Sequence, residues 1–208
     1  MNDSIDINTL TSALKHELNG LLTGVKTGLE VMGMDDYFED PDVKEEFDDI
    51  MRSANKLHEH IQDINLIYTS VETITLNSKP LSNDGFKISL EKIQTFENFE
   101  FSAIDLQNTT EFNIDNQYLY RLLYYMIALM GMSKVELNNL SISTQSNADN
   151  EIHLTHSENY PQEFSDLLES KQSDHAKISL TLHLITKLSE CLNMKIENRE
   201  NNIILKFS

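Results

Sequence analysis

The sequence predicts an α+β chain in two parts. The first is an N-terminal antiparallel helical hairpin able to form a dimeric four-helix bundle, and the second is an α/β sandwich. Three observations carry this. Two apolar stripes of helical period fill the first third of the chain. The stretch "NSKPLSNDG" at 77–85 then clusters linker-type residues. Beyond it, helical and strand-like patterns are mixed.

In the first stripe, Leu10, Leu14, Leu18, Leu21, Val25, Leu29 and Met32 are spaced 4, 4, 3, 4, 4 and 3 residues apart. This 11-residue repeat lies close to the natural period of a straight helix. Asp35 to Pro41 interrupts it. A second helix begins near Asp42, with acidic residues in its opening turns where the helix dipole favours them. Val43, Phe47, Ile50, Ala54, Leu57, Ile61, Ile64 and Tyr68 alternate spacings of 4 and 3, a heptad seam. A two-helix hairpin cannot bury both stripes alone. Pairing two hairpins into a dimeric bundle buries them, and packing against the chain's own second half is the competing solution. The expected division is a hairpin over 1–76, a linker over 77–85 and a second domain over 86–208.

In the second domain "FKISLEKIQTFEN" reads as a helix and "FEFSAIDL" as a strand. "NQYLYRLLYYMIALMGM" is apolar enough for a buried helix. "VELNNLSISTQ" and "NEIHLTHS" read as paired strands around "SNADN", and "PQEFSDLLESK" as a short helix opened by Pro161. "KISLTLHLITKLSECLN" is a further helix, and "MKIENRENNIILKFS" a hairpin turning near Glu200–Asn202.

The net charge of −18 makes nucleic acid and anionic membrane surfaces poor partners. The acidic run "DDYFEDPDVKEEFDD" reads as a solvated turn and helix start, with selection of a basic partner as the other reading. No apolar run reaches the ~20 residues of a membrane span, and "MNDSIDINTL" is unlike a secretory signal. A lone cysteine, Cys191, fits a reducing compartment. The expectation is a cytoplasmic protein.

On a wheel of about 100° per residue with His16 as origin, the first stripe centres near 180°. Gly20, Thr23 and Thr27 fall within about 40° of His16, and Gly24 at about 80°. His16 is therefore expected on an exposed face of small side chains that another protein's backbone can approach. Gly28, at about 120°, lies nearer the apolar seam, where glycine permits close helix packing. Metal binding is disfavoured: "HELNG" has Gly20 where an HExxH site needs its second histidine, and His58 and His60 point apart on a helix. No framed nucleophilic serine occurs, and Cys191 sits in an apolar helix. A neutral imidazole is, however, a nucleophile towards phosphorus, and Glu17 beside it is placed to hold the other ring nitrogen.

"LKHELNGLLTGVKTGLEVM" resembles the H-box of the dimerisation and histidine-phosphotransfer domain of two-component histidine kinases. His16, Glu17, Leu22 and Thr23 match that pattern. The resemblance implies that His16 is the phospho-acceptor and that Glu17 orients or polarises its imidazole. Two positions depart from the pattern: Leu21 stands for the usual proline, and Gly20 for the Thr or Asn linked to phosphatase action, with Asn19 adjacent. The later elements resemble the ATP-binding domain of the same kinases, with "YLYRLLYYMIALM" in the place of its Asn-bearing helix. Yet no Asn occurs between Tyr118 and Met132, "THSENYPQE" stands where Asp-x-Gly-x-Gly is expected, and "SDHAKISL" replaces the Gly-rich lid. Without glycine a phosphate-wrapping loop is hard to build. ATP binding is not expected.

The layout resembles the dimeric histidine phosphotransferases of bacterial phosphorelays. That implies phosphoryl transfer between receiver-domain aspartates through His16, with Asn19, Gly20, Thr23, Gly24 and Thr27 as the docking surface. It implies no cofactor of its own, with Mg²⁺ on the partner receiver, and receiver domains and a second copy of the chain as partners. Three rivals stay open: a pseudokinase or scaffold that does not use His16, a kinase with a divergent nucleotide site, and a coiled-coil dimer with an incidental histidine.

Overall fold

Helix α1 covers residues 22–32, and residues 18 and 20 are also helical. Helix α2 runs from Pro41 to Tyr68, with proline at the opening position that lacks an intrahelical N–H partner in any case. The computed structural model describes residues 18, 20, 22–32, 41–68, 71–107, 112–146 and 150–207. The chain divides into two compact units, Met1–Thr69 and Ser70–Ser208.

In the first unit Leu22, Ala54 and Ile61 form a buried cluster, with Leu29 packed against it. Leu22 was not in the predicted stripe, yet it is the buried residue of α1, 7% exposed. Leu18, Val25 and Met32 are exposed, as are Val43, Ile50 and Leu57. Each row repeats every seven residues. Each helix therefore buries one edge of its apolar stripe inside the chain and leaves the other edge uncovered.

The second unit opens with a 3-10 turn, Val71–Thr73, and a two-residue strand, β1 (Lys79–Pro80). Helix α3 (Asn83–Glu97) follows, its N-cap Ser82 accepting from the Gly85 N–H and its C-cap Asn98 left-handed. Then come β2 (Ala103–Leu106), β3 (Asn113–Ile114) and α4 (Asn116–Met132). After a second 3-10 turn, Leu137–Asn139, the strands β4 (Leu140–Ser146) and β5 (Asn150–His156) form a pair. Helices α5 (Gln162–Ser170) and α6 (Ala176–Cys191) precede the terminal hairpin β6 (Met194–Arg199) and β7 (Asn202–Phe207).

The main sheet has five strands in the order β2-β4-β5-β7-β6. All neighbours are antiparallel except β2 and β4, whose parallel pairing requires a crossover, supplied by α4. Ile152, Leu154, Ile203 and Leu205 point to one face and are fully buried. Helix α4 packs against α3 and α6 and buries nine side chains, Leu119 to Met130 among them, on nearly its whole circumference. A helix apolar all round must be interior, as its sequence predicts.

The stretch 77–85 is not a free linker, which corrects the composition-based expectation. The Asn77 N–H donates to Asp115 Oδ2 at 2.8 Å, β1 pairs with β3, and the Leu81 N–H donates to the Phe112 carbonyl at 2.8 Å. Pro80 sits on an edge strand and Ser82 is a helix cap, so residues that read as linker-type serve structural posts.

Candidate functional site

His16, Glu17 and Asn19 lie outside the described residues. The remaining predicted docking residues, Gly20, Thr23, Gly24 and Thr27, are helical and exposed. With the buried Leu22 as origin, they fall between about 100° and 200° around α1, opposite the internal cluster. Leu18, Val25 and Met32 fall at about −40° to −80°, beside Leu22. Helix α1 thus carries three separate faces: one buried in the chain, one apolar and uncovered, one small and polar.

A Cβ added to Gly20, Gly24 or Gly28 would have no neighbour within 4 Å among the described residues. Nothing described in the chain itself requires glycine at these positions. Helical glycine costs roughly 1 kcal/mol against alanine, so the reason for the first two is sought outside the chain. At Gly28 the close helix packing expected from the wheel is not made by the described residues of a single copy.

In the second unit, the segment expected to correspond to the nucleotide motif is tied into the protein. The N–H of His156 donates to the Asn201 carbonyl at 2.8 Å, and that of Ser157 to the Asn139 carbonyl at 3.2 Å. The Glu158 N–H donates to His156 Nδ1 at 3.2 Å, and the Tyr160 N–H to the Glu200 carbonyl at 2.9 Å. Asn201 Nδ2 returns a bond to the His156 carbonyl at 3.1 Å. His156 Nε2 lies 3.2 Å from the Glu136 carbonyl, and its Nδ1 lies 3.0 Å from the Glu158 carbonyl. The buried Tyr160 hydroxyl donates to the Leu154 carbonyl at 2.8 Å, and burial pushes its pKa up. Its ring lies 5.1 Å from that of Phe164, which is fully buried. Pro161 has no N–H to offer. A phosphate cradle needs backbone donors aimed outward, and four of this segment's are already engaged.

Among the described residues, no group of three or more His, Cys, Asp or Glu is placed to hold a metal ion. No described helix is long and apolar enough to cross a membrane.

Sequence reasoning missed one cluster. On the sheet face opposite Ile152 and Leu154, Glu151, His153, Thr155, Asn202, Lys206, Glu197 and Arg199 join in hydrogen bonds and ion pairs. The period-two polar positions 151, 153 and 155 and 195, 197 and 199 were the available signal.

No family model matches the sequence, and no curated protein matches it. Solved structures do match. The chain is similar to the Acinetobacter baumannii histidine kinase AdeS with a TM-score of 0.50 and 17% identity, over 93% of this chain and 97% of that one. It is similar to full-length ShkA, crystallised in complex with AMPPNP, with a TM-score of 0.56 and 13% identity over 95% of this chain; the match spans 44% of ShkA. These likenesses establish a histidine-kinase-like fold.

Proposed function

We propose that this chain is a dimeric histidine phosphotransferase, passing a phosphoryl group between receiver-domain aspartates through His16. The observation that carries the reading is the open small-residue face of α1, where Gly20, Thr23, Gly24 and Thr27 are all exposed and a Cβ on either glycine would meet nothing within 4 Å among the described residues. On a continuous helix this is the face that carries His16. A neutral ring nitrogen of His16 attacks the phosphorus of an aspartyl phosphate; the N–P bond forms as the O–P bond breaks and the aspartate leaves as carboxylate. The reverse step loads a second receiver. Glu17 orients the ring, and Mg²⁺ belongs to the receiver.

The homodimer is supported by the two uncovered heptad rows, Leu18–Val25–Met32 and Val43–Ile50–Leu57. The absence of ATP chemistry is supported by the engaged donors of the 156–160 segment and by the sequence's lack of phosphate-loop glycines.

A scaffold that binds a receiver or kinase without using His16 is the second reading, favoured by the same closed segment. One experiment separates them. His16→Ala should still bind a receiver but accept no phosphoryl group. Full biological activity of that variant would sink the transferase reading and leave the scaffold.

A further inference from the structure

The polar cluster on the β5–β7–β6 face holds a hydrogen-bond chain whose direction is set from its carboxylate end, since the Glu151 carboxylate can only accept. Thr155 Oγ1 donates to Asn202 Oδ1 at 3.1 Å. The Glu151 Oε2 atom, 3.0 Å from His153 Nε2, can only accept, so Nε2 carries the proton of the neutral ring. His153 Nδ1 is then the acceptor, and Asn202 Nδ2 donates to it at 2.9 Å. The other Glu151 oxygen takes Lys206 Nζ at 3.0 Å, which also reaches Glu197 at 3.4 Å. Arg199 closes on Glu197 at 2.7 Å. His153 is 8% exposed, so water is a poor substitute for any of these partners.

We propose that His153 and Asn202 form a proton-operated latch across β5 and β7. A second proton on the imidazole must go to Nδ1, where it meets the Asn202 NH₂. The carboxamide then has to turn over, presenting Oδ1 to the new N–H. Its NH₂ now faces Thr155 Oγ1, which changes from donor to acceptor. One proton therefore reorients two neighbouring side chains without breaking a strand pair.

Strands β4 to β7 present charged or polar groups to the face that carries His153. Its own strand supplies Glu151, which remains a partner in both states. β7 supplies Asn202 and Lys206, and β6 supplies Glu197, Arg199 and Lys195, whose Nζ lies 3.5 Å from Glu197 Oε1. β4 sets the uncharged Ser143 opposite it in register. The residue before Asn202 is Asn201, which holds His156 on both sides. The latch thus adjoins the anchor of the 156–160 segment.

Nuclear magnetic resonance of the full chain tests this. Two-bond ¹⁵N–¹H correlations should show the Nε2–H tautomer of His153 at a pH of about 8. On acidification to a pH of about 5, the Asn202 carboxamide signals should move with the same midpoint as the His153 ring. An Nδ1–H tautomer at the higher pH, or Asn202 signals indifferent to the titration, would overturn the latch.

Discussion

His156 and Asn201 hold each other through two hydrogen bonds, from the His156 N–H to the Asn201 carbonyl at 2.8 Å and from Asn201 Nδ2 to the His156 carbonyl at 3.1 Å. The pair fastens the β6–β7 turn to the segment that leaves β5. Asn201→Ala removes the side-chain half and keeps the backbone half. It should weaken local protection by about 1 kcal/mol. Hydrogen exchange should show faster exchange of the 156–160 amides with the helical core unchanged. Calorimetry with ATP should remain flat, since a looser segment still lacks phosphate-loop glycines.

Tyr160 offers a separate check on the same region. Tyr160→Phe deletes the buried hydroxyl that donates to the Leu154 carbonyl. Urea unfolding should show a loss of about 1 kcal/mol, the ordinary net worth of such a bond. No change would mean that the 2.8 Å contact contributes nothing to the fold.

The glycines of α1 give opposed expectations for stability and transfer. Gly24→Ala should stabilise the hairpin by up to about 1 kcal/mol, because a Cβ there meets nothing within 4 Å among the described residues. It should nevertheless slow transfer from a receiver. Gly20→Leu should block transfer while circular dichroism and melting show an intact fold. Unimpaired transfer in Gly20→Leu would remove this face from the docking surface.

Ile50 is 54% exposed in the single chain, so Ile50→Glu leaves the internal cluster of Leu22, Ala54 and Ile61 untouched. A charge in a heptad seam should convert the proposed dimer to folded monomers, read by light scattering. A variant that stays dimeric would place the dimer contact elsewhere.

The charged cluster predicts the acid limb of stability. Burial raises the Glu151 carboxyl, but hydrogen bonds from Lys206 and His153 outweigh it and leave the pKa below its ordinary value. Arg199, with Lys206, holds Glu197 below its ordinary value as well. Lowered carboxyls contribute stability above their unfolded pKa of about 4.5, and lose it as the pH falls through the folded value. Lys206, raised by Glu151 and Glu197, contributes fully below its unfolded pKa and loses that contribution only at alkaline pH. Lys206→Met should therefore flatten the decline in urea midpoint between a pH of about 5 and about 3.

Much of the fold was legible because local pattern and tertiary need agreed. The apolar circumference of α4 allowed one reading, a buried helix spanning Asn116–Met132. The hairpin was legible as a period but not as a packing. A wide stripe sums two contacts, and spacing does not say which edge faces the chain's own partner helix. Leu22 lies outside the predicted stripe for that reason, while Val25, at the centre of the stripe, is 53% exposed. The 77–85 segment misled because proline, serine and asparagine serve edges and caps as well as linkers. Asp115, which accepts from Asn77, Gln117 and Tyr118 at once, could not be read as a clamp, since its first partner lies 38 residues away. Of the candidate site, the small face of α1 was legible from the wheel; the engaged donors of 156–160 depend on tertiary partners that no local pattern reveals.

Fragmentation mass spectrometry reads phosphoryl transfer through His16 at the residue itself. The protein, incubated without ATP and with a phosphorylated receiver domain from the same cells, should carry an acid-labile phosphoryl group on His16. The receiver should lose its own in step. A phosphoryl group on another residue, or one that appears only when ATP is supplied, would contradict the account.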